Sequence, residues 1–242
     1  MPGGPVSASG PLAALQGPLG ALGLNVLLPV APDAFDVAAA PLRLDRLLPE
    51  AAGALVVGAG GRAFFELFAA APEAADGAAN PLDRYTARVI ARAVGEALTP
   101  LAVAYAVHFP FGARPLIPFQ RLGRAAGLGG PGPLGLQIHP HFGPWWAYRA
   151  LVVLDRPLPP GSMLGDGCAG CEAPCVAACP AGAVARTGFD VAACHARRLV
   201  AEPCRLSCAA RIACVRGPEH RYRDEQLAFH MRASMPRRPP AP

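Results

Sequence analysis

The chain has 242 residues, 52% of them hydrophobic, and a formal net charge of +5, which supports a sizeable core and excludes a chain disordered throughout. All 22 basic residues are Arg, so Schiff-base and P-loop lysine chemistry are excluded. The charge is uneven: residues 1–167 carry 11 Arg against 11 Asp and Glu, and residues 168–242 carry 11 Arg against 6, so the whole excess lies in the segment that holds every cysteine.

Taken in chain order, residues 1–10 read as a flexible start and 11–22 as a short helix. Leu24 to Val30 reads as a buried strand. Phe35 to Leu48 is mixed. Ala54 to Val57, followed by Gly58, Gly60 and Gly61, reads as a strand entering a turn. Asp83 to Leu98 is the clearest helix, with Asp83 as its cap and Tyr85, Val89, Ile90 and Val94 on one face. Leu101 to Phe109 alternates as a strand does. Gln120 to Ala126 is a helix ending near Gly127, and Leu151 to Leu154 a short strand. The loop from Arg156 to Asp166 separates this body from the cysteines. Asp190 is set to cap a helix over Val191 to Val200, and Asp224 one over Glu225 to Met235. The expected fold class is an α/β or α+β body over residues 1–160. A small loop-and-helix, ferredoxin-like module follows over 161–235, then a disordered tail over 236–242.

The apolar stretch 11–31 is broken by Gly17, Pro18, Gly20, Gly23 and Pro29, so no spanning helix is expected. Met1 is followed by Pro-Gly-Gly-Pro, with no basic n-region before an apolar stretch. The chain therefore reads as cytoplasmic and unattached to membranes, a setting in which clustered cysteines are more often metal ligands than disulfides.

Eight cysteines carry the chemistry. The first group is Cys168-x2-Cys171-x3-Cys175-x3-Cys179-Pro180, close to the bacterial ferredoxin run C-x2-C-x2-C-x3-C-P. Short spacings turn several sulfurs toward one centre. The middle gap is one residue longer than in that run. Cys194, Cys204, Cys208 and Cys214 can complete the set. In the ferredoxin arrangement the fourth cysteine of the run serves the other cluster. That arrangement implies Cys168, Cys171, Cys175 and Cys214 on one [4Fe–4S] cluster, and Cys179, Cys194, Cys204 and Cys208 on a second. A single cluster with spare cysteines, a zinc site and four disulfides are the competing readings, although zinc favours two C-x2-C pairs and only one is present. Two clusters of formal charge −2 would nearly cancel the local +5.

The cysteine block is similar to the two-cluster ferredoxin module at the C-terminus of the epoxyqueuosine reductase family. The resemblance extends upstream to Gly123–Pro144 (GRAAGLGGPGPLGLQIHPHFGP), and covers about Leu101 to Cys214. It implies an α/β body related to cobalamin-processing proteins, holding cobalamin and fed electrons by the clusters. The family's general acid stands in a run like Asp-x-x-Pro. The matching stretch here, Ala113-Arg114-Pro115-Leu116, lacks the carboxylate, and reductase chemistry without a proton donor loses its acid. The second cysteine group also departs, as C-x3-C-x5-C followed by Val215 instead of Pro. Epoxyqueuosine reduction is therefore not expected, and a divergent, ferredoxin-like relative is.

Other residues are candidates beside a bland reading. Gly127 and Gly129 suit close approach to a flat cofactor or a plain turn, since Pro131 and Pro133 argue against a phosphate-binding helix start. His139, His141 and Trp145 can wall a planar ligand or form an aromatic core. His195, His220 and His230 can hydrogen-bond a cluster sulfur or simply cap helices. Arg197, Arg198, Arg205, Arg211 and Arg216 compensate cluster charge, dock an acidic redox protein, or form a solvated face. Nucleic acid is not expected as a partner, because stacking aromatics do not interleave these arginines. Ser7, Ser9, Ser162, Ser207 and Ser234 stand in no G-x-S-x-G motif. The function expected is electron transfer through one or two [4Fe–4S] clusters. The alternatives are a cobalamin- or other cofactor-dependent reductase and a zinc-stabilised binding module.

Overall fold

The computed structural model describes residues 10–112 and 114–235. The flexible start, apart from Gly10, and the tail over 236–242 lie outside the described residues. The described residues divide into two compact units, one running to Gly127 and taking in Ala147–Met163, the other formed by Leu128–Trp146 and residues 164–235. Residues 128–146, read from sequence as part of the first domain, thus cluster with the cysteine segment.

The first unit is a mixed α/β layer. Its elements are α1 (Pro11–Ala21), β1 (Val26–Val30), α2 (Pro32–Ala39), β2 (Gly53–Gly60), α3 (Ala63–Ala69), α4 (Pro81–Leu98), β3 (Tyr105–His108), α5 (Phe119–Ala125) and β4 (Trp146–Leu154). The strands form one sheet in the order β1-β2-β4-β3, with β1 antiparallel to β2 and β3 antiparallel to β4. All eight residues of β2 are buried, as expected of an inner strand. β1 alternates buried and half-buried residues. Its Pro29 has no N–H to donate and is tolerated because β1 lies at the sheet edge. The Asn25 side chain clamps the far end of that pair, donating to the Gly60 carbonyl at 3.1 Å and accepting from its N–H at 2.7 Å.

Helix α4 buries Tyr85, Val89, Ile90 and Val94 on one face, together with Leu82, Thr86, Ala93 and Leu98. It starts two residues earlier than expected. Pro81 occupies its first turn and Asn80, at φ 52, precedes it, so Asp83 favours the first turn by its charge and is not the cap. Likewise α10 (Asp224–Ala233) begins at Asp224 instead of after it. Gly58 pairs with Val26 inside β2 and does not end it; the strand runs on to Gly60, whose N–H and carbonyl the Asn25 side chain holds. β3 is shorter than the Leu101–Phe109 reading, since Thr99–Leu101 winds into a 3-10 turn.

On β3, His108 is half-buried, and its Nε2 is enclosed without a hydrogen-bond partner. Burial pushes its pKa below the ordinary 6.5. The native state then binds fewer protons than the unfolded chain, and stability falls as pH drops below 6.5 toward the folded-state value. His108→Leu should flatten this acid limb in denaturant melts run from pH 7 downward. An unchanged limb would remove His108 from the account.

The second unit is built from α6 (Pro174–Ala177), the ribbon β5–β6 (Val184–Ala185, Gly188–Phe189), α7 (Val191–Val200), α8 (Glu202–Leu206), α9 (Ala209–Ile212) and α10. Asp190 caps α7 as the sequence predicts, accepting the Ala193 N–H at 2.9 Å. The apolar core here is small. One cluster gathers Leu134, Ile138, Ala173, Cys175, Val184 and Ala210, and another gathers Trp145, Tyr222 and Leu227. The Arg211 guanidinium lies 4.9 Å from the Trp145 ring centre and 4.8 Å from that of Tyr222, and donates to the Pro144 carbonyl. Buried Arg198 ties α7 to α10 by donating to the carbonyls of Met231 and Ser234. Among the described residues no helix is long and apolar enough to cross a membrane.

Candidate metal centre

Tight turns and short helices set the eight thiols. The Asp166 carboxylate accepts the Cys168 N–H at 2.8 Å, and the Cys171 N–H closes the C-x2-C turn on the Cys168 carbonyl at 3.1 Å. The three-residue gap to Cys175 passes through Ala173 at φ 56, a left-handed turn from which α6 starts. Cys179 follows α6, Cys194 lies on α7, Cys204 on α8, Cys208 precedes α9 and Cys214 follows it. All eight are free thiols.

They fall into two electrostatically coupled sets. Cys168 feels the charges of Cys171, Cys175 and Cys214, and Cys214 that of Cys171. Cys194 feels Cys208, Cys179 and Cys204. The membership is crossed: Cys214, from the far end of the segment, joins the first run, and Cys179 leaves it for the later cysteines. Burial, followed by Asp166 and the neighbouring thiolates, pushes Cys168 up to about 11. Burial first and the other thiols second also raise Cys175; burial raises Cys194 and Cys214, against the pull of Arg198 on the one and of Arg211 and Arg216 on the other. Each set is a donor array whose ionised form needs added positive charge.

The first set lines a cavity of about 430 Å³ whose other wall is the turn Gly130–Gly135. The wall is shaped for sulfur. A Cβ on Gly132 would stand 2.7 Å from the Cys168 Sγ and 3.1 Å from Ile138. The Ala173 N–H points at the Cys171 Sγ at 3.3 Å, and backbone N–H groups of Val176 and Arg216 serve the sulfurs of Cys175 and Cys214. Such bonds favour thiolate over thiol. Arg216 donates to the carbonyls of Gly167 at 2.9 Å and Ala169 at 2.8 Å, bracing the Cys168 turn. Among the described residues no three cysteine sulfurs lie within 4.8 Å of one another, whereas four sulfurs on one tetrahedral zinc stand about 3.8 Å apart. Gly132→Ala should displace the Cys168 sulfur and lower metal content at this set alone, by about half of the chain's total if both sets are loaded. Full metal content in that variant would show that the cavity wall does not shape the site.

The other candidates do not share this cavity. Gly127 closes α5 at φ 97 with its N–H on the Arg124 carbonyl. Gly129 bonds the Gly165 carbonyl, and a Cβ there would strike the Asp166 backbone at 2.7 Å, so its smallness serves chain packing. Trp145 is fully enclosed in its cluster with Tyr222 and Leu227 and offers no face to a ligand. His139 is buried against Phe142 and Trp146, and its Nδ1 accepts the N–H groups of His141 and Phe142. Burial, with the nearby charges of His141 and His220, holds it neutral down to about 4. His141 is exposed beyond that turn. Of the five arginines singled out from the sequence, Arg198, Arg211 and Arg216 are engaged by backbone carbonyls, and Arg197 and Arg205 are exposed. Arg114 and Leu116 are exposed, and Ala113 lies outside the described residues.

No protein-family model matches the sequence, and no curated protein matches it. Solved structures do. Epoxyqueuosine reductase from Streptococcus thermophilus superposes with a TM-score of 0.55 at 14% identity over 84% of this chain. An epoxyqueuosine reductase bound to an epoxyqueuosine-modified tRNA stem loop gives 0.59 at 13% identity over 88% of this chain and 67% of its own. The chain has the epoxyqueuosine reductase fold. It spans 65% of the Streptococcus enzyme's length. The same fold likeness reaches the B12-trafficking protein CblC of C. elegans, with a TM-score of 0.60 at 13% identity, over 93% of this chain and 91% of that one.

Proposed function

We propose that the second unit of this epoxyqueuosine reductase-like chain holds two [4Fe–4S] clusters and that the chain passes single electrons through them. The observation that carries the reading is the crossed division of eight free thiols into two sets of four. Cys168, Cys171, Cys175 and Cys214 would hold one cluster, and Cys179, Cys194, Cys204 and Cys208 the other. When bound, such a cluster accepts and releases one electron at a potential set by charge, hydrogen bonds and exposure.

The chain's own groups supply the setting. Gly132 leaves room beside the Cys168 sulfur. The N–H groups at Ala173, Val176 and Arg216 stabilise thiolate charge on the first set. Arg211 and Arg216 near Cys214, and Arg198 near Cys194, offset the anionic charge of each set. Exposed Arg197 and Arg205 give an acidic redox partner a docking charge. Anaerobically purified protein should show broad visible absorbance that dithionite bleaches, with an electron paramagnetic resonance signal in the reduced state. A colourless, silent protein would refute the reading.

A second reading has the first unit carry a B12 derivative that the clusters reduce. The likeness to the C. elegans B12-trafficking protein favours it. Corrinoid bands that stay with the protein through gel filtration would support it, and complete loss of added cobalamin would exclude it.

A further inference from the structure

Apart from the thiols, the described residues bring one further set of metal-ligating atoms together. A ring nitrogen of each of His141 and His220 and a carboxylate oxygen of Glu219 all lie within 4.8 Å of one another. The two Nε2 atoms are 3.0 Å apart, and the His220 Nε2 is 3.4 Å from the Glu219 Oε1. His141 and His220 are 79 residues apart in sequence.

Backbone geometry builds this convergence. The 139–143 turn is closed by the His139 N–H on the Gly143 carbonyl at 2.9 Å and the reverse bond at 2.7 Å. The buried His139 ring holds the inside of the turn through the N–H groups of His141 and Phe142. On the other side, the 3-10 turn Pro218–His220 leaves Gly217 at φ 57. The two turns nest at glycines. A Cβ on Gly143 would stand 2.0 Å from the Arg216 carbonyl oxygen, and one on Gly217 would stand 2.6 Å from that of His141. The His220 ring then packs edgewise on Phe142 at 4.7 Å and on His141 at 4.4 Å.

Two imidazole nitrogens 3.0 Å apart, with a carboxylate oxygen 3.4 Å from one of them, are a donor set that a divalent cation takes. Nitrogens on one tetrahedral zinc are about 3.3 Å apart, so the ion enters with a sub-ångström opening of the pair. The Glu219 side chain is 60% exposed, and solvent can fill the fourth position. Two imidazoles and a carboxylate select first-row transition metals over calcium and magnesium.

We propose that His141, Glu219 and His220 form a mononuclear site for a divalent first-row transition metal, pinning the turn that follows Cys214 to the 139–143 turn. The test uses the full chain, anaerobically loaded with iron and sulfide, dialysed against Zn²⁺ and analysed for zinc, iron and sulfide. One zinc ion per chain is expected, with iron and sulfide retained. His141→Ala and His220→Ala should each weaken zinc binding by about 100-fold or more, and Glu219→Gln by about 10-fold. His141→Asn, which keeps the turn's bulk, should repeat the loss with circular dichroism unchanged. The difference between parent and histidine variants reads this site whatever the cysteines hold. Absence of zinc from the loaded chain, or zinc binding that the histidine variants leave unchanged, would overturn the proposal.

Discussion

Cys175→Ser should cost the chain about half its iron and at least about 3 kcal/mol of second-unit stability. Cys175 is both a proposed ligand and a core residue, 7% exposed among Leu134, Ile138, Val184 and Ala210. Serine replaces a soft, apolar sulfur with a hydroxyl that needs a partner in a dry place. It also removes one of four thiolates from the set. The core of this unit is small, so ligand binding supplies much of its folding free energy. Iron analysis and near-ultraviolet circular dichroism melts check both effects. Cys171→Ser should lose a similar share of iron with a smaller packing effect, since Cys171 is only half-buried. Full iron in both variants would remove these residues from the ligand set.

Gly143→Ala should destabilise the second unit by about 3 kcal/mol or more. Two costs combine. At φ 59 an L-residue is strained by about 1 kcal/mol. The new methyl would also overlap the Arg216 carbonyl oxygen at 2.0 Å, so one of two nested turns must retreat. Gly182→Ala separates the terms. Gly182 has φ 61 but nothing within 4 Å of its absent Cβ, so its variant should lose only about 1 kcal/mol. Chemical denaturation of the two variants gives the comparison, and equal losses would mean that the backbone contact at Arg216 carries no weight.

Much of the site was legible because cysteine spacing is local. The C-x2-C-x3-C-x3-C run placed four sulfurs within 12 residues, and the extra residue in the middle gap is met by Ala173 in a left-handed turn. The ligand sets proposed here follow the ferredoxin arrangement, in which Cys214 joins the first run. Helix α4 was legible for a related reason, as its apolar face repeats over 18 residues. Short elements were not. α6, α8 and α9 have four or five residues each, too few for a period to declare itself. The glycines at 132, 143 and 217 could be read as turn residues, but not for what they face. Gly132 makes room for a sulfur 36 positions later in sequence, and Gly143 and Gly217 accommodate distant backbone. Nor could any local pattern pair His141 with Glu219 and His220, because their meeting depends on that nest of turns. Trp145 and His139 read from sequence as a possible ligand wall. Burial in aromatic clusters gives them packing roles.

Iron and acid-labile sulfide per chain, measured on anaerobically purified full-length protein, test the account most directly. Two [4Fe–4S] clusters predict about eight of each. Zinc in place of iron, with no sulfide, would contradict it.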